Sequence, residues 1–203
     1  MSWQFLPLAA VCDLNPSERL VAGMPAPYLD MAALQTGGMA NDEPSQRHFT
    51  AGTKFRDGDA LLARITPCLE NGKTTFVQGL GGNVVGWGST EFIVIRPKEP
   101  MPPEYGYLLA RDETFRDFAI QSMTGTSGRQ RVQTDQIARY IVTNPSSAVA
   151  TAFGRIIGPW FRMIRSNIVQ SQTLAELRDL LLPKLMSGKL SVRDAEREIE
   201  KAA

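Results

Sequence analysis

The sequence predicts an α+β protein, with a mixed α/β globular domain over residues 1 to 145 followed by one long α-helix. Two textures carry this prediction. Up to Pro145 the chain holds nearly all of its glycine and proline, and short apolar runs are broken by turn signals. From 147 to 182 only two glycines and one proline occur, all by position 159, and apolar residues recur at spacings that alternate between four and three.

In the first region the candidate strands are residues 59 to 65 (DALLARI), 74 to 78 (TTFVQ) and 91 to 96 (EFIVIR), each rich in apolar or β-branched residues with polar or glycine flanks. Residues 79 to 88 (GLGGNVVGWG) are expected to form a glycine-rich loop. Its glycines do not fit the G-x-G-x-x-G spacing of a dinucleotide site, and a strand rather than a helix follows. Pro102-Pro103 opens a segment whose apolar residues Tyr107, Leu108, Phe115, Phe118 and Ala119 suit one or two short helices packed on a sheet. That segment stops at residues 124 to 128 (TGTSG). A short helix or turn and the strand 139 to 143 (RYIVT) come next, and Asn144-Pro145 closes the domain.

In the second region Ser146 or Ser147 supplies an N-cap. Ile156, Trp160, Met163, Asn167, Gln170, Leu174, Leu177 and Leu181 then form a coiled-coil seam. A helix over 147 to 181 is roughly 50 Å long at 1.5 Å per residue. Such a stripe often packs on its own domain, but this length favours a second helix as its partner. The polar Asn167 and Gln170 suit a helix pair, because buried polar residues fix register and partner number. Pro183 is expected to end the helix. Residues 182 to 189 make a short capped element, and 191 to 203 a charged, solvated helix.

Composition narrows the chemistry. Residues 1 to 145 hold 13 Lys/Arg and 15 Asp/Glu, and 146 to 203 hold 9 and 6, so nucleic-acid contacts must come from local clusters rather than a generally basic surface. Two cysteines, Cys12 and Cys68, and the lone His48 supply neither a disulfide framework nor a structural zinc site. No run reaches the length of a membrane span, and residues 1 to 12 lack the basic region and cleavage site of a signal peptide, which predicts a cytoplasmic chain.

The motifs bear on three chemistries. A metal-dependent nuclease needs two acids and a lysine around one metal, with one residue between the second acid and the lysine. Asp59, Glu70 and Lys73 approach that pattern, but two residues separate Glu70 from Lys73. A DNA methyltransferase needs a catalytic Asn/Asp-Pro-Pro-aromatic tetrapeptide, and residues 15 to 18 (NPSE) and 144 to 147 (NPSS) both lack it. Residues 124 to 133 (TGTSGRQRVQ) combine hydroxyls and glycines with Arg129, Gln130 and Arg131, side chains able to grip phosphates or read guanine and adenine edges. The same residues also suit an ordinary exposed turn.

Six stretches, in order, resemble the specificity (S) subunit of type I restriction-modification systems in a half-length form, with one target recognition domain and one conserved helical region. They are residues 28 to 31 (YLDM), 55 to 62 (FRDGDALL), 63 to 73 (ARITPCLENGK), 89 to 92 (STEF), 124 to 132 (TGTSGRQRV) and 172 to 189 (QTLAELRDLLLPKLMSGK). The resemblance implies a non-catalytic DNA-recognition subunit that reads one half of a split double-stranded target. It implies methyltransferase (M) subunits that use S-adenosylmethionine, and restriction (R) subunits that use ATP and Mg, as partners, with no cofactor on this chain. A full S subunit pairs two long helices antiparallel. With one domain and one helix, this chain is expected to rebuild that pairing as a homodimer on an inverted repeat. The DNA contacts expected are Ser127, Arg129, Gln130 and Arg131, then Arg64, Thr66, Lys73 and Thr75, with base contacts alternatively in 34 to 50 or 79 to 88. Asn71-Gly72 reads as a tight turn, and Glu70 as its organiser.

Overall fold

The computed structural model describes residues 3–39, 44–126 and 128–202. The chain divides into two compact units, Met1–Phe161 and Arg162–Ala203.

The first unit is built on strand β6 (Ala60–Ala63), all four of whose residues are buried. It pairs antiparallel with β7 (Thr74–Phe76) on one side and β9 (Phe92–Pro97) on the other, and β2 (Cys12–Leu14) completes the order β2-β9-β6-β7. The side chains alternate across this sheet as a period of two demands. Ala60, Leu62, Ile93 and Ile95 join one core cluster with Leu8 and Phe115, while Leu61, Phe92 and Val94 join a second with Leu29 and Phe55. A run such as Ala-Leu-Leu-Ala therefore reads as continuous apolar sequence because both of its faces are covered.

On the first face lie α2 (Glu104–Arg111) and α3 (Glu113–Gln121), the latter capped by Asp112, whose carboxylate accepts from the Phe115 amide at 2.9 Å. On the other face lies a second sheet in the order β4-β3-β8-β5, formed by β3 (Pro25–Leu29), β4 (Ser45–His48), β5 (Thr53–Phe55) and β8 (Gly86–Gly88). β3 and β8 run parallel, and the other pairs are antiparallel. A small cluster of Ala26, Phe49 and Trp87 sits on this sheet, with both Phe49 and Tyr28 edge-on to Trp87. β1 (Gln4–Pro7) pairs with β10 (Ile141–Asn144), between which run α1 (Leu8–Val11) early in the unit and α4 (Thr134–Ala138) late in it.

The three strands expected in the middle of the chain form: 59–65 narrows to 60–63, 74–78 narrows to 74–76, and 91–96 shifts by one residue to 92–97. The glycine-rich loop differs, because its last three residues are strand β8. Glycine is a poor strand former, but here the packing requires it. A Cβ on Gly88 would stand 2.2 Å from the Leu29 carbonyl oxygen, and one on Gly86 2.5 Å from the Phe55 ring.

Helix α5 runs from Ser147 to Met186. Within the first unit its residues Ala150, Ile157, Gly158 and Phe161 are buried, with Phe161 edge-on to Phe76 and Tyr107. The expected stop at Pro183 is a correction. Proline there removes one amide donor, yet the helix continues to Met186 and closes at Gly188, whose φ of +70° suits the left-handed end of a helix. α6 (Val192–Ala202) follows in the second unit.

Candidate nucleic-acid interface

The segment 124 to 132 forms a narrow loop tied to the extension of β6. Arg131 exchanges backbone hydrogen bonds with Thr124, the Thr66 amide donates to the Gln130 carbonyl and the Val132 amide to that of Arg64. A turn at the tip is closed by the Arg129 amide on the Thr126 carbonyl, and Gly125 and Gly128 take φ values of +125° and +78°. The glycines of this motif thus serve the turn itself. The tip is exposed at Thr126, Gly128 and Arg129.

Five of the eight expected contact residues meet here, but they are not equivalent. Arg129 is exposed and its side chain has no hydrogen-bond or ionic partner among the described residues, whereas Gln130 is half-buried. Arg131 points its guanidinium at Glu91, with Nε 2.9 Å from both carboxylate oxygens and Nη2 2.8 Å from one. These bonds and the nearby negative charge hold the Arg131 proton more tightly than usual. Arg64 donates from Nη2 to Gln133 at 2.7 Å, and its Nε is buried without an acceptor. Thr66 is half-buried, its hydroxyl 3.9 Å from the Met123 sulfur. Ser127 lies outside the described residues.

Two of the expected residues are engaged within the fold. Thr75 is fully buried in β7 and its hydroxyl donates to the Met39 carbonyl at 2.9 Å, so it presents nothing to a ligand. Lys73 is half-buried and donates to the Met31 carbonyl at 2.8 Å, a bond that ties the 66–73 turn to the loop after β3. That turn is longer than a two-residue hairpin. The Leu69 amide reaches the Ile65 carbonyl, the Asn71 amide that of Pro67 and the Lys73 amide that of Cys68, while Gly72 has φ +70°. Arg116 donates to the Glu70 carbonyl and Arg111 to that of Gly72, so main-chain atoms of Glu70 rather than its exposed carboxylate carry the turn.

The same geometry separates the nuclease trio. Asp59 sits opposite Val77 at one end of the β6–β7 ladder and Lys73 opposite Ala63 at the other. Four residues of strand, about 13 Å at 3.3 Å each, lie between those ends. Asp59 is buried, and both of its oxygens accept from Arg96 at 2.7 Å. Arg96 also donates to Glu18, as does Arg56, so two acids and two arginines form a compact internal network. Burial alone would raise the Glu18 carboxyl, but the hydrogen bonds from Arg96 and Arg56 outweigh it and hold the group below the usual glutamate range. Among the described residues no group of three or more His, Cys, Asp or Glu is arranged to hold a metal. Burial pushes the Cys12 thiol up to about 12, far from a reactive thiolate.

Sequence reasoning did not assign β4. All four of its side chains, Ser45, Gln46, Arg47 and His48, are exposed on an edge strand, and Arg47 lies 4.1 Å over the Tyr28 ring. The polar run around His48 has no apolar alternation to signal a strand. On α5 the expected seam is uncovered. Ile156, Trp160, Met163 and Leu174 are 58 to 66% exposed, Asn167 and Gln170 are exposed, and Leu177 and Leu181 are half-buried. No helix among the described residues is long and apolar enough to cross a membrane.

No protein-family model matches the chain. It is 29% identical over 186 residues to the EcoEI type I restriction enzyme specificity subunit of Escherichia coli, covering 86% of this chain and 30% of that protein. It is also 29% identical over 138 residues to the EcoAI specificity subunit of Escherichia coli, covering 64% and 23%. Among solved structures it resembles a chain of a type I restriction-modification system (TM-score 0.60, 20% identity, 94% of this chain and 50% of that one). It likewise resembles the HsdS subunit of Thermoanaerobacter tengcongensis (TM-score 0.56, 22% identity, 86% and 46%). The chain thus spans less than a third of the curated relatives' length and about half of the solved chains.

Proposed function

We propose, from its likeness to part of type I restriction specificity subunits, that the chain is a non-catalytic DNA-recognition subunit. It reads one half-site of a bipartite double-stranded target and scaffolds methyltransferase (M) subunits and, where present, restriction (R) subunits. S-adenosylmethionine, ATP and Mg belong to those partners. Two copies joined through α5 address an inverted repeat. One observation carries the DNA-reading part: the 124–131 loop is rigidly held at its base, and its exposed tip offers an uncommitted arginine, Arg129, beside Gln130. Arginine and glutamine are the side chains that pair bidentately with guanine and adenine edges in the major groove. The exposed Gln46, Arg47 and His48 on β4 form a second polar surface of the same unit, in the 34–50 segment where base contacts are alternatively expected. A two-stranded ribbon such as β3–β4 also fits a major groove.

Methylome sequencing of cells holding the cognate methyltransferase, with and without this chain, tests the reading. Adenine methylation on an inverted repeat with a nonspecific spacer, present only with the chain, is the expected result. Methylation unchanged by its removal would overturn it.

A further inference from the structure

The arginine on β4 is braced in a way that the arginine at the loop tip is not. We infer that Arg47 reads a guanine in the major groove and is a specificity-determining residue of the half-site. This rests on the DNA-recognition reading proposed above and names one base that it requires.

Strand β4 pairs with β3 so that Arg47 stands opposite Ala26 and Ser45 opposite Tyr28. A period of two puts Tyr28, Ser45 and Arg47 on one face of the ribbon, and three contacts fix the guanidinium there. Its central carbon lies 4.1 Å from the centre of the Tyr28 ring, which is itself backed edge-on by Trp87 at 4.5 Å. Its Nε donates to the Ser45 hydroxyl at 3.2 Å, and its Nη2 lies 4.0 Å from Asp30 Oδ2. Asp30 is anchored in turn, because its other oxygen accepts from the amides of Ala32 and Ala33 at 2.8 and 3.0 Å. One face of the guanidinium is thus covered and its Nε is occupied. What remains is the Nη1–Nη2 end, a fork of parallel donors with no hydrogen-bond acceptor among the described residues, on a side chain that is 52% exposed.

The setting selects what that fork can meet. A side chain that reads a base needs its orientation set by its neighbours, whereas a phosphate is drawn to an arginine in any orientation. Here the charge of a phosphate would also be opposed by the Asp30 carboxylate beside the guanidinium. A neutral base edge meets no such repulsion. In the major groove only guanine offers two adjacent acceptors, O6 and N7. Adenine and cytosine present an amino donor there, and thymine a methyl group beside a single acceptor. A two-stranded ribbon fits that groove, and β4 lies at the edge of its sheet with all four side chains exposed. The ribbon also shares a support with the 124–131 loop. The 66–73 turn is bonded to the segment after β3 through Lys73 and the Met31 carbonyl, and to the loop through the Thr66 amide and the Gln130 carbonyl. Of the exposed arginines Arg47 and Arg129, Arg47 is the one whose orientation is set before DNA arrives.

The test is methylome sequencing with the cognate methyltransferase subunit, first with the wild-type chain to define the target and then with Arg47→Ala and Arg47→Lys. Lysine keeps the charge but has neither the fork nor the plane, so it rescues a phosphate contact and not this one. Both variants should relax the motif at one G·C position of the half-site and keep it elsewhere. In gel shift, Arg47→Ala should bind the wild-type motif about tenfold more weakly and change little on a duplex with that G·C pair replaced. Asp30→Asn, which keeps the oxygen that accepts from Ala32 and Ala33, should lower the preference for guanine at that position and raise affinity for unrelated duplexes. The urea midpoint of each variant checks that the fold is intact. A motif unaltered by Arg47→Ala, full rescue by Arg47→Lys, or equal weakening on every duplex would overturn the inference while leaving DNA recognition standing. If the wild-type chain directs no methylation, the DNA-recognition reading fails and this inference with it.

Discussion

Two arginine–carboxylate forks in the first unit share one chemistry and differ in setting. Arg96 grips Asp59 through Nε and Nη2 and Glu18 through Nη1, all at 2.7 Å, and the two acids are 1% and 3% exposed. Arg131 grips Glu91 in nearly the same geometry at 2.8 to 2.9 Å, but the pair is 38% and 24% exposed. The first fork joins β9 to the end of β6 and to the loop after β2, so its loss leaves charge stranded in the interior. The second joins the 124–131 loop to the start of β9 at the surface, where water replaces a lost partner. Geometry alone therefore does not tell a fold-holding pair from one that aims a loop; burial does.

Removing a carboxylate from the buried fork should give the largest effect. Asp59→Ala deprives Arg96 of two hydrogen bonds and the Arg56 amide of its acceptor, and a cost of about 3–5 kcal/mol is expected for breaking a buried pair. Urea unfolding measures it. A loss near that of a surface substitution would erase the contrast between the forks.

Next comes the pH dependence of the same network. The Glu18 carboxyl titrates below its ordinary value of 4.5 in the folded chain, so its contribution is fully present above that value and is lost as pH falls through the lowered one. Glu18→Gln should therefore destabilise the protein at pH 7, and the gap between variant and wild type should narrow as unfolding is followed down through pH 4. A gap that stays constant would mean that the charge of Glu18 is not what the network uses.

At the surface the readout shifts from stability to DNA. Arg129→Ala should leave the urea midpoint unchanged and weaken binding, measured by gel shift with the methyltransferase subunit present, by about tenfold or more. Unaltered affinity would remove the tip from the interface and leave β4 as the place to look.

How much of this was legible in sequence depends on what each residue's role requires. The central strands were readable because a short apolar run between turn signals is a local property of the chain. The long helix was readable from its apolar spacing, also a local property, but its end was not. Proline's local cost at position 183 was overridden by one further turn. β8 was hidden because its glycines answer to Leu29 and Phe55, which are distant in sequence. The candidate residues were legible by type but not by their contacts within the fold. Thr75 and Lys73 turn inward, and Arg131 is distinguished from Arg129 only by Glu91, forty residues away.

That last distinction can be tested by removing the acid instead of the base. If Arg131 acts by holding the loop at its angle, Glu91→Ala and Arg131→Ala should weaken DNA binding by the same few-fold factor, and the double variant should be no worse than either, since both break one link. If Arg131 instead touched a phosphate or a base, Glu91→Ala would release its positive charge toward DNA and tighten binding while Arg131→Ala loosened it. The sign of the Glu91→Ala effect therefore decides the role. Weaker binding means the surface fork is a small, exposed version of the buried one, a device for orientation, and Arg129 is left as the arginine that reaches the ligand.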